Sequence, residues 1–484
     1  MPLLGATGGG SAKGFGALAN LGYFIRNSVR LRFNSTASST SYFSRTNSSA
    51  PTNNKIGTLS FWVKRGIIGS QTGNGQYLIE TGTGTSDNTH FSFVMGTTDV
   101  FSISQYHVEP LLTTRVFRDP AAWYHIVFVF DSTQGTAADR YKLYVNGVLE
   151  TAVTRPGDCP LNSNWAILNS GQAINIGRHS TISGGRGSEA YIAEWNLIDG
   201  QALTPSSFGK TDAATGQWIP KKYAGTYGTN GFYLKFSDIA TTSGSNAGLG
   251  KDFSGNGNYW NTNNISVTSG ATYDAMVDSP TLSAVASNYA VMNPLAADSN
   301  ATFSNANLTI TSNAAGEGFI PATIDFDIAS STGYYFEVTV DSGTAYCTTG
   351  FIPVSKFPGK MWTGGTYPGL STYNPGFEIR FSDGTILQNG GSSAYGSGAT
   401  AGDTWGFAIK NGKVWARNSS GYFNSGNPVT EANPAVTGQT GQWLLGFAER
   451  AGAFGAGCTY NFGQRPFAYT PPTGFKSLNA FNLP

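Results

Sequence analysis

The chain has 484 residues, more than the roughly 100 to 200 residues of an ordinary single domain, so two or three domains are expected. Its 29 Lys and Arg residues against 28 Asp and Glu residues exclude attraction of nucleic acid or an anionic membrane by overall charge. Charged residues make up only 12%, whereas 13% are aromatic and 63 are glycine, a composition typical of β-rich proteins. The first residues lack a signal-peptide pattern and no stretch of about 18 apolar residues occurs, so we expect neither a cleaved leader nor membrane insertion.

Four segments follow one another along the chain. Residues 1–27 are rich in Gly, Ala and Ser without periodicity, which predicts a flexible attachment arm. Residues 28–210 carry short strand patterns between turn residues, enough for a two-sheet sandwich. Residues 211–299 hold one convincing strand and several aromatic side chains that are costly to expose, so we expect a connector packed on the first domain. A second strand series over residues 300–484 predicts another sandwich, and the fold class is therefore all-β with two tandem antiparallel β-sandwiches.

Two hairpins carry the clearest local signal. Asn146-Gly147 in RYKLYVNGVLE and Asn411-Gly412 in IKNGKVWARN supply the positive φ angles that a two-residue turn requires. Alternation in the first hairpin predicts Tyr141, Leu143 and Val145 on one face, with polar or amphipathic residues on the other. These hairpins fix the strand phase on both sides of each turn.

Catalytic constellations are missing from the sequence. Glu189 and Glu194 are the nearest approach to a pair of glycosidase carboxylates, but an odd separation places them on opposite faces of a regular strand. The four histidines stand in no motif with a Ser or Cys nucleophile, and His125 is interpreted as a core or sheet-face residue. We therefore expect no enzyme.

Two stretches fit the needs of glycan binding, which are an exposed aromatic ring and planar hydrogen-bonding groups. The first is CPLNSNWAILNSG with GRHSTISGGRG, where Trp165 as a lid over the core is an equally good interpretation. The second is the Gly- and Pro-rich insertion from Tyr346 to Tyr373, which we expect to project from the sheet as a contact loop. The candidate residues of the two stretches are Asn164, Trp165, Arg178, His179, Arg186, Tyr346, Trp362, Tyr367 and Tyr373.

Two family resemblances rest on these motifs. The order TLSFWVKRG, AAWYHIVFVFDST, YKLYVNGVLE, INIGR and YIAEWNLIDG resembles the laminin-G-like, concanavalin A-type jelly roll. YYFEVTVDSG with TAGDTWGFAIKNGKVWARN and TYNFGQRPFAYTPPTGFKSL resembles a SPRY domain, although FIPVSKFPGKMWTGGTYPG departs from that pattern. Both families are mainly binding scaffolds, and a fold alone does not identify a ligand.

The whole arrangement, from SAKGFG at the front to NFGQRPFAYTPPTGF at the end, is similar to structural proteins of tailed phages. The resemblance implies a virion surface protein, a tail fibre or appendage component that is made in the host cytoplasm, assembles as a homotrimer and recognises host-surface glycan. Other virion proteins would be partners of the arm, whether capsid, portal or tail. A purely structural head fibre or decoration protein without a glycan site is the alternative.

Cofactors and cysteines add little at this stage. No cofactor is predicted, although laminin-G-like domains often bind Ca²⁺ and Asp131, Asp139 and Asp199 are acids at loop edges. The three cysteines are expected to be reduced, with a bridge between Cys347 and Cys458 left open as an alternative.

Overall fold

The structure, a computed structural model, describes residues 23–33, 40–69, 74–82, 89–105, 108–179, 186–297, 301–312, 318–343, 347–359, 370, 373, 375–449 and 455–483. The chain divides into two compact units. The N-terminal unit contains Leu21–Thr268 and Thr272–Thr281, and the C-terminal unit contains Leu282–Pro484. Within the described ranges, the only helical elements are three-residue turns, none of which is long enough to span a membrane.

The N-terminal unit is built from eighteen strands among its described residues. They are β1 Ser28–Leu31, β2 Tyr42–Thr46, β3 Ile56–Arg65, β4 Gln76–Thr81, β5 Phe91–Met95, β6 Phe101–Gln105, β7 Val108–Thr113, β8 Trp123–Asp131, β9 Tyr141–Val145, β10 Val148–Leu149, β11 Val153–Thr154, β12 Ala173–Ile176, β13 Ala190–Asp199, β14 Gly209–Thr211, β15 Trp218–Pro220, β16 Phe232–Leu234, β17 Asn261–Asn263 and β18 Ala275–Met276. Short 3-10 turns lie at Ala137–Asp139, Ala166–Leu168, Pro205–Ser207 and Gly248–Gly250.

Sixteen of these strands form two antiparallel sheets that face each other, and β14 pairs with β15 in a separate two-stranded sheet. Sheet A has the order β10-β9-β8-β3-β13-β1-β18, with β16 also paired to β13. Sheet B has the order β11-β7-β6-β5-β4-β12-β2-β17. Aromatic side chains fill the space between the sheets: Phe61 stacks on Trp195 at 4.1 Å, and Phe93 meets Phe61 and Phe128 edge-on. This apolar layer is the core that the alternating strand pattern predicts.

The segment after residue 200 returns to both sheets instead of leaving the unit. β16 pairs with β13, β17 pairs with β2, and β18 pairs with β1. At its other end the unit includes residues that the sequence assigns to the arm, because Ile25 is buried and the Tyr23 hydroxyl donates to the Glu194 carboxylate at 2.6 Å. The N-terminal unit is therefore a sandwich whose two sheets are extended by strands from the segment after residue 200, and it also includes residues of the predicted arm.

The first predicted hairpin has the expected geometry. Asn146 and Gly147 have φ angles of 49° and 81°, β9 and β10 pair across this turn, and Tyr141, Leu143 and Val145 are buried. Gly147 is required for a second reason, since a Cβ there would lie 2.4 Å from the Trp218 ring. The turn therefore combines a left-handed backbone with close packing of a distant aromatic residue.

The C-terminal unit contains fifteen strands in the part that the structure describes. They are β19 Ala301–Ser304, β20 Thr309–Ser312, β21 Gly318–Pro321, β22 Phe326–Asp327, β23 Gly333–Ser342, β24 Cys347–Pro353, β25 Phe377–Arg380, β26 Thr385–Gln388, β27 Gly391–Ala394, β28 Thr404–Lys410, β29 Lys413–Asn418, β30 Gly421–Tyr422, β31 Gln442–Glu449, β32 Gly457–Asn461 and β33 Phe475–Ser477. Its 3-10 turns lie at Pro294–Ala296, Val354–Lys356 and Phe423–Ser425.

Two sheets again enclose an aromatic core. Sheet C has the order β19-β20-β32-β23-β28-β29-β30, and sheet D has the order β21-β31-β24-β25-β26-β27. Phe336 stacks on Phe407 within sheet C, and Phe351 stacks on Phe377 within sheet D. All strand pairings described are antiparallel except that of β33 with β23. The predicted fold class, all-β with two tandem antiparallel sandwiches, is confirmed.

The insertion at 346–373 differs from its prediction. Residues 347–353 form β24, which lies inside sheet D between β31 and β25, so this part continues the sheet and does not project from it. Gly350 admits the Leu370 side chain against the strand, where a Cβ would lie 2.3 Å from it. Tyr373 is half-buried and packs on the apolar cluster that contains Ile352 and Leu370. Tyr346, Trp362 and Tyr367 lie outside the described residues.

Candidate functional site

The two sheets of the N-terminal unit differ in how much of their outer face is covered. Strands β3, β8 and β13 of sheet A are buried at almost every position. Their outer face packs against the following segment, where Phe208 and Tyr223 lie against Val127 and Ile198. Strands β2, β6 and β12 of sheet B alternate between buried and partly exposed residues. The outer face of sheet B is thus the more accessible sheet surface in the described part of this unit.

A row of polar residues crosses that outer face. Strand register places Ser44 beside Asn175, Asn175 beside Glu80, Glu80 beside Ser92, and Ser92 beside Ser104. The row therefore runs through β2, β12, β4, β5 and β6 in one line. Because side chains alternate in a strand, this row lies on the face of the sheet opposite the core, where Ser44, Asn175 and Ser104 are partly exposed and Glu80 and Ser92 are buried.

A groove of about 370 Å³ lies over β4 to β7 on this face. The Ser102 hydroxyl donates to the Glu109 carboxylate, and the Ser104 hydroxyl donates to the Val108 carbonyl at 3.2 Å. This volume is within the roughly 300 to 1,000 Å³ range of small-molecule sites. The polar residues of its lining are Tyr77, His90, Ser92, Thr97, Thr98, Ser102, Ser104 and Glu109.

Tyr77 joins the groove to a cluster of predicted site residues. The His179 ring meets the Tyr77 ring edge-on at 4.7 Å, and Arg186 Nη1 donates to the Tyr77 hydroxyl at 3.3 Å. Arg178 lies over the Tyr42 ring, with its guanidinium carbon 4.8 Å from the ring centre. An isolated bridge between residues 178 and 187 holds the two segments that carry these arginines side by side.

The electrostatics of this cluster are set by burial and by neighbouring positive charges. Burial, together with the neighbouring positive charges of Arg186, His90 and Arg178, lowers the pKa of His179 to about 4. His179 Nε2 lies 3.7 Å from Glu80 Oε1, but the imidazole is neutral near pH 7, so this contact is not an ion pair there. His179 therefore acts as a neutral hydrogen-bonding group beside Tyr77.

The structure brings together three of the five residues predicted in the first stretch, namely Arg178, His179 and Arg186. Asn164 is exposed but does not line the groove. The prediction that Trp165 forms an exposed platform is wrong, because its ring is fully buried against Phe91 and other core rings. The alternative interpretation of Trp165 as a core residue fits this position.

Sequence reasoning missed most of the groove. Tyr77, Ser92, Ser102, Ser104 and Glu109 lie on four strands whose registers cannot be read from local patterns. A signal was nevertheless present in FSFVMG and VFSISQ, where serines alternate with large apolar residues. In a half-buried sheet this alternation predicts a hydroxyl-bearing outer face.

Glu194 occupies a different environment from a glycosidase carboxylate. A bulge interrupts β13 between Ala193 and Asn196, and Glu194 has a φ of 50°. Its carboxylate accepts hydrogen bonds from the Tyr23 and Tyr233 hydroxyls, while burial raises its pKa to about 7. The adjoining cavity of about 10 Å³ holds about one water and no sugar ring. This geometry supplies no space for glycoside chemistry at Glu194.

The acids considered for Ca²⁺ are engaged in local structure. Asp199 accepts the backbone N–H groups of Thr52, Asn53 and Asn230 at 2.7 to 3.1 Å. The Asp131 carboxylate accepts hydrogen bonds from residues 133 and 134. Among the residues described, no group of three or more His, Cys, Asp or Glu side chains has a metal-binding arrangement.

Comparisons with known proteins add fold information for one unit. No curated protein matches the chain. Similar solved structures include the PSpry domain of TRIM65, at 10% identity and a TM-score of 0.27, covering 36% of this chain and 89% of that one. Another is the SPRY domain of human HERC1, at 11% identity and a TM-score of 0.24, covering 32% of this chain and 87% of that one. Because both TM-scores are low, we describe the C-terminal unit as a sandwich from its own strand pairing alone. Residues 35–208 match the model of the concanavalin A-like lectin and glucanase superfamily.

Proposed function

We propose that this protein is a non-catalytic surface component of a phage particle, a tail fibre or appendage, that binds host-surface glycan through the groove on sheet B. The observation that carries the proposal is the hydroxyl-lined groove of about 370 Å³ on the accessible face of a concanavalin A-like sandwich. The particle context rests on the sequence resemblance to tailed-phage proteins alone.

The groove has the chemistry that a sugar requires. Saccharides present many hydroxyl groups, which exchange hydrogen bonds with serine hydroxyls, histidine nitrogens and carboxylates. Tyr77 adds an aromatic ring, and aromatic rings pack against the apolar faces of sugar rings. Val94 and Leu112 supply further apolar contact within the same lining. Glu109 is the one carboxylate of the described lining, so the serine-rich part of the groove suits sugar hydroxyl groups.

Filling the groove tests this assignment. Ser104→Phe places a large side chain at a partly exposed position of β6, so saccharide binding by the full chain should weaken by roughly tenfold or more. Binding is measured on an array of bacterial surface oligosaccharides and by titration calorimetry. Ser393→Phe is the matched control, since it makes the same change on the exposed strand β27 of the C-terminal unit.

Two results would overturn the assignment. Equal saccharide binding by the wild type and Ser104→Phe, with unchanged melting, would remove the groove from the site. An absence of saccharide binding by the wild type, with normal incorporation into particles, would favour the structural decoration protein.

The arm and the oligomeric state belong to the same proposal. We place attachment to capsid, portal or tail proteins in residues 1–22, ahead of Tyr23, and we expect a homotrimer by resemblance to phage fibres. Deleting residues 1–22 should abolish incorporation into particles while saccharide binding is retained. Retained incorporation would exclude this role of the arm.

A further inference from the structure

Two guanidinium groups without carboxylate partners among the described residues lie on the segments next to Tyr77. Arg186 contacts the Tyr77 hydroxyl, and Arg178 lies over Tyr42. Both arginines are partly exposed, and no ion pair in the described ranges includes either of them. By contrast, Arg65 and Arg118 of the same unit both pair with Asp99 at 2.7 Å. Arg140 also has no ion pair but donates to the carbonyls of Gln134, Gly135 and Cys159, whereas the described contacts of Arg178 and Arg186 are with tyrosine side chains.

Charges of both signs lie near these arginines. The pKa of His179 is lowered first by burial and then by Arg186, His90 and Arg178 in turn, so the charged neighbours that act on this ring repel a proton. Glu80 contacts His179 at 3.7 Å, and Glu109 is engaged by Ser102 at the other side of the groove. The Tyr77 end therefore has a guanidinium group besides the Glu80 carboxylate, whereas the Glu109 end has a carboxylate alone.

The two ends of the groove are therefore chemically different. Serine hydroxyls on β5 and β6 suit neutral sugar hydroxyls, whereas a guanidinium group binds a planar carboxylate through two parallel hydrogen bonds. Packing of Arg178 on Tyr42 and of Arg186 at Tyr77 limits the motion of both side chains before a ligand arrives.

We propose that the groove is selective for saccharides that bear a carboxylate, such as uronic acids, and that Arg186 with Arg178 binds the carboxylate. This inference rests on the proposed function, since it names the ligand class of the same groove. Ser92, Ser102 and Ser104 bind the hydroxyl groups of the sugar, and the arginines supply selectivity.

The test compares acidic oligosaccharides with their carboxyl-reduced counterparts, in which each carboxylate becomes a CH₂OH group. The probes are alginate, galacturonate, glucuronate-containing and N-acetylneuraminate-containing oligosaccharides, titrated into the full chain. At least one acidic probe should bind roughly tenfold or more tightly than its reduced partner. Raising the salt concentration should narrow this ratio.

Variants separate recognition from folding. Arg186→Gln and Arg178→Gln should lower the ratio of the affinity for an acidic probe to the affinity for its reduced partner. A change in stability alone does not alter this ratio. Arg186→Lys keeps the positive charge but loses the planar guanidinium group. Its affinity ratio should therefore lie between the ratios of wild type and Arg186→Gln. Arg115→Gln is the control, because Arg115 is exposed and pairs with Glu150.

The outcomes distinguish the inference from the proposed function. If the reduced probes bind as tightly as the acidic ones, the groove is a saccharide site without carboxylate selectivity, and the inference fails alone. If acidic probes bind selectively but Arg186→Gln and Arg178→Gln leave the ratio unchanged, the assigned residues are wrong. If no probe of either kind binds, the inference and the proposed function fail together.

Discussion

His125 and Glu194 give the N-terminal unit two opposite responses to acid. Trp218 Nε1 donates to His125 Nδ1 at 2.9 Å, so the imidazole proton lies on Nε2, which is 3.0 Å from the Ser60 hydroxyl. Protonation of His125 Nδ1 would place its N–H group opposite the Trp218 Nε1–H group in a buried site. Burial accordingly lowers the pKa of His125 to about 3, whereas burial raises the pKa of Glu194 to about 7.

The signs follow from the two folded pKa values. The unfolded chain protonates a histidine near pH 6.5, so the contribution of His125 is present above that pH and is lost as the pH falls toward 3. Glu194 takes up its proton in the folded state first, so its contribution is present below about pH 4.5 and is lost as the pH rises through 7. Between pH 7 and pH 5 each group changes the free energy of unfolding by about 2 kcal/mol, in opposite directions.

The comparison of variants with wild type makes this measurable. On going from pH 7 to pH 5, His125→Gln should gain about 2 kcal/mol relative to wild type and Glu194→Gln should lose about 2 kcal/mol. Scanning calorimetry of the full chain should show these as shifts of roughly 4 to 8 °C in the transition of the N-terminal unit. All four histidines precede residue 282, and the titration of His179 cancels because every variant retains it. If the melting temperatures of wild type and His125→Gln changed with pH in parallel, the conclusion that His125 is a buried neutral imidazole would be refuted.

Three further predictions concern packing. Trp123→Ala should destabilise the N-terminal unit by about 3 to 5 kcal/mol, because it removes a buried ring and its 3.1 Å hydrogen bond to Asp278; unchanged melting would contradict this. Gly147→Ala should lower the melting temperature of that unit through strain at a φ of 81° and a clash with Trp218, and a neutral effect would mean that the turn relaxes freely. The three buried cysteines should react with iodoacetamide only after denaturation, since burial raises the pKa of Cys458 well above its usual range; rapid labelling of the native chain, read by mass spectrometry, would exclude this burial.

The features predicted correctly from the sequence are local ones. Both Asn-Gly hairpins form because the turn and the strands that it joins are adjacent in the chain, and Asn411 and Gly412 repeat the positive φ angles of the first turn. The core face of β9 follows from alternation within five residues. The prediction of the fold class required only that many such strand patterns occur and that helical periodicity is lacking.

The errors concern non-local packing. An aromatic residue between glycines and asparagines looks exposed in sequence, but Trp165 is enclosed by rings from β5 and β8 that are distant in the chain. The strand at residues 347–353 was missed because Gly350 and Pro353 weaken its local pattern. Its two neighbours in sheet D are distant in the sequence, so their pairing could not be predicted from local patterns. Arg178, His179 and Arg186 lie close together because all three fall within nine residues of the sequence.

The return of the chain after residue 200 governs when the N-terminal unit can be completed during synthesis. The Ser28 hydroxyl donates to the Asp278 carbonyl across a separation of 250 residues, and β18 closes sheet A beside β1. A ribosome must therefore have translated beyond Asp278 before the first strand has both neighbours. Until then the edge of β1 stays open to wrong pairing, and closure of so long a loop slows folding. We expect this unit to mature late on the ribosome and to depend on protection of its nascent edge.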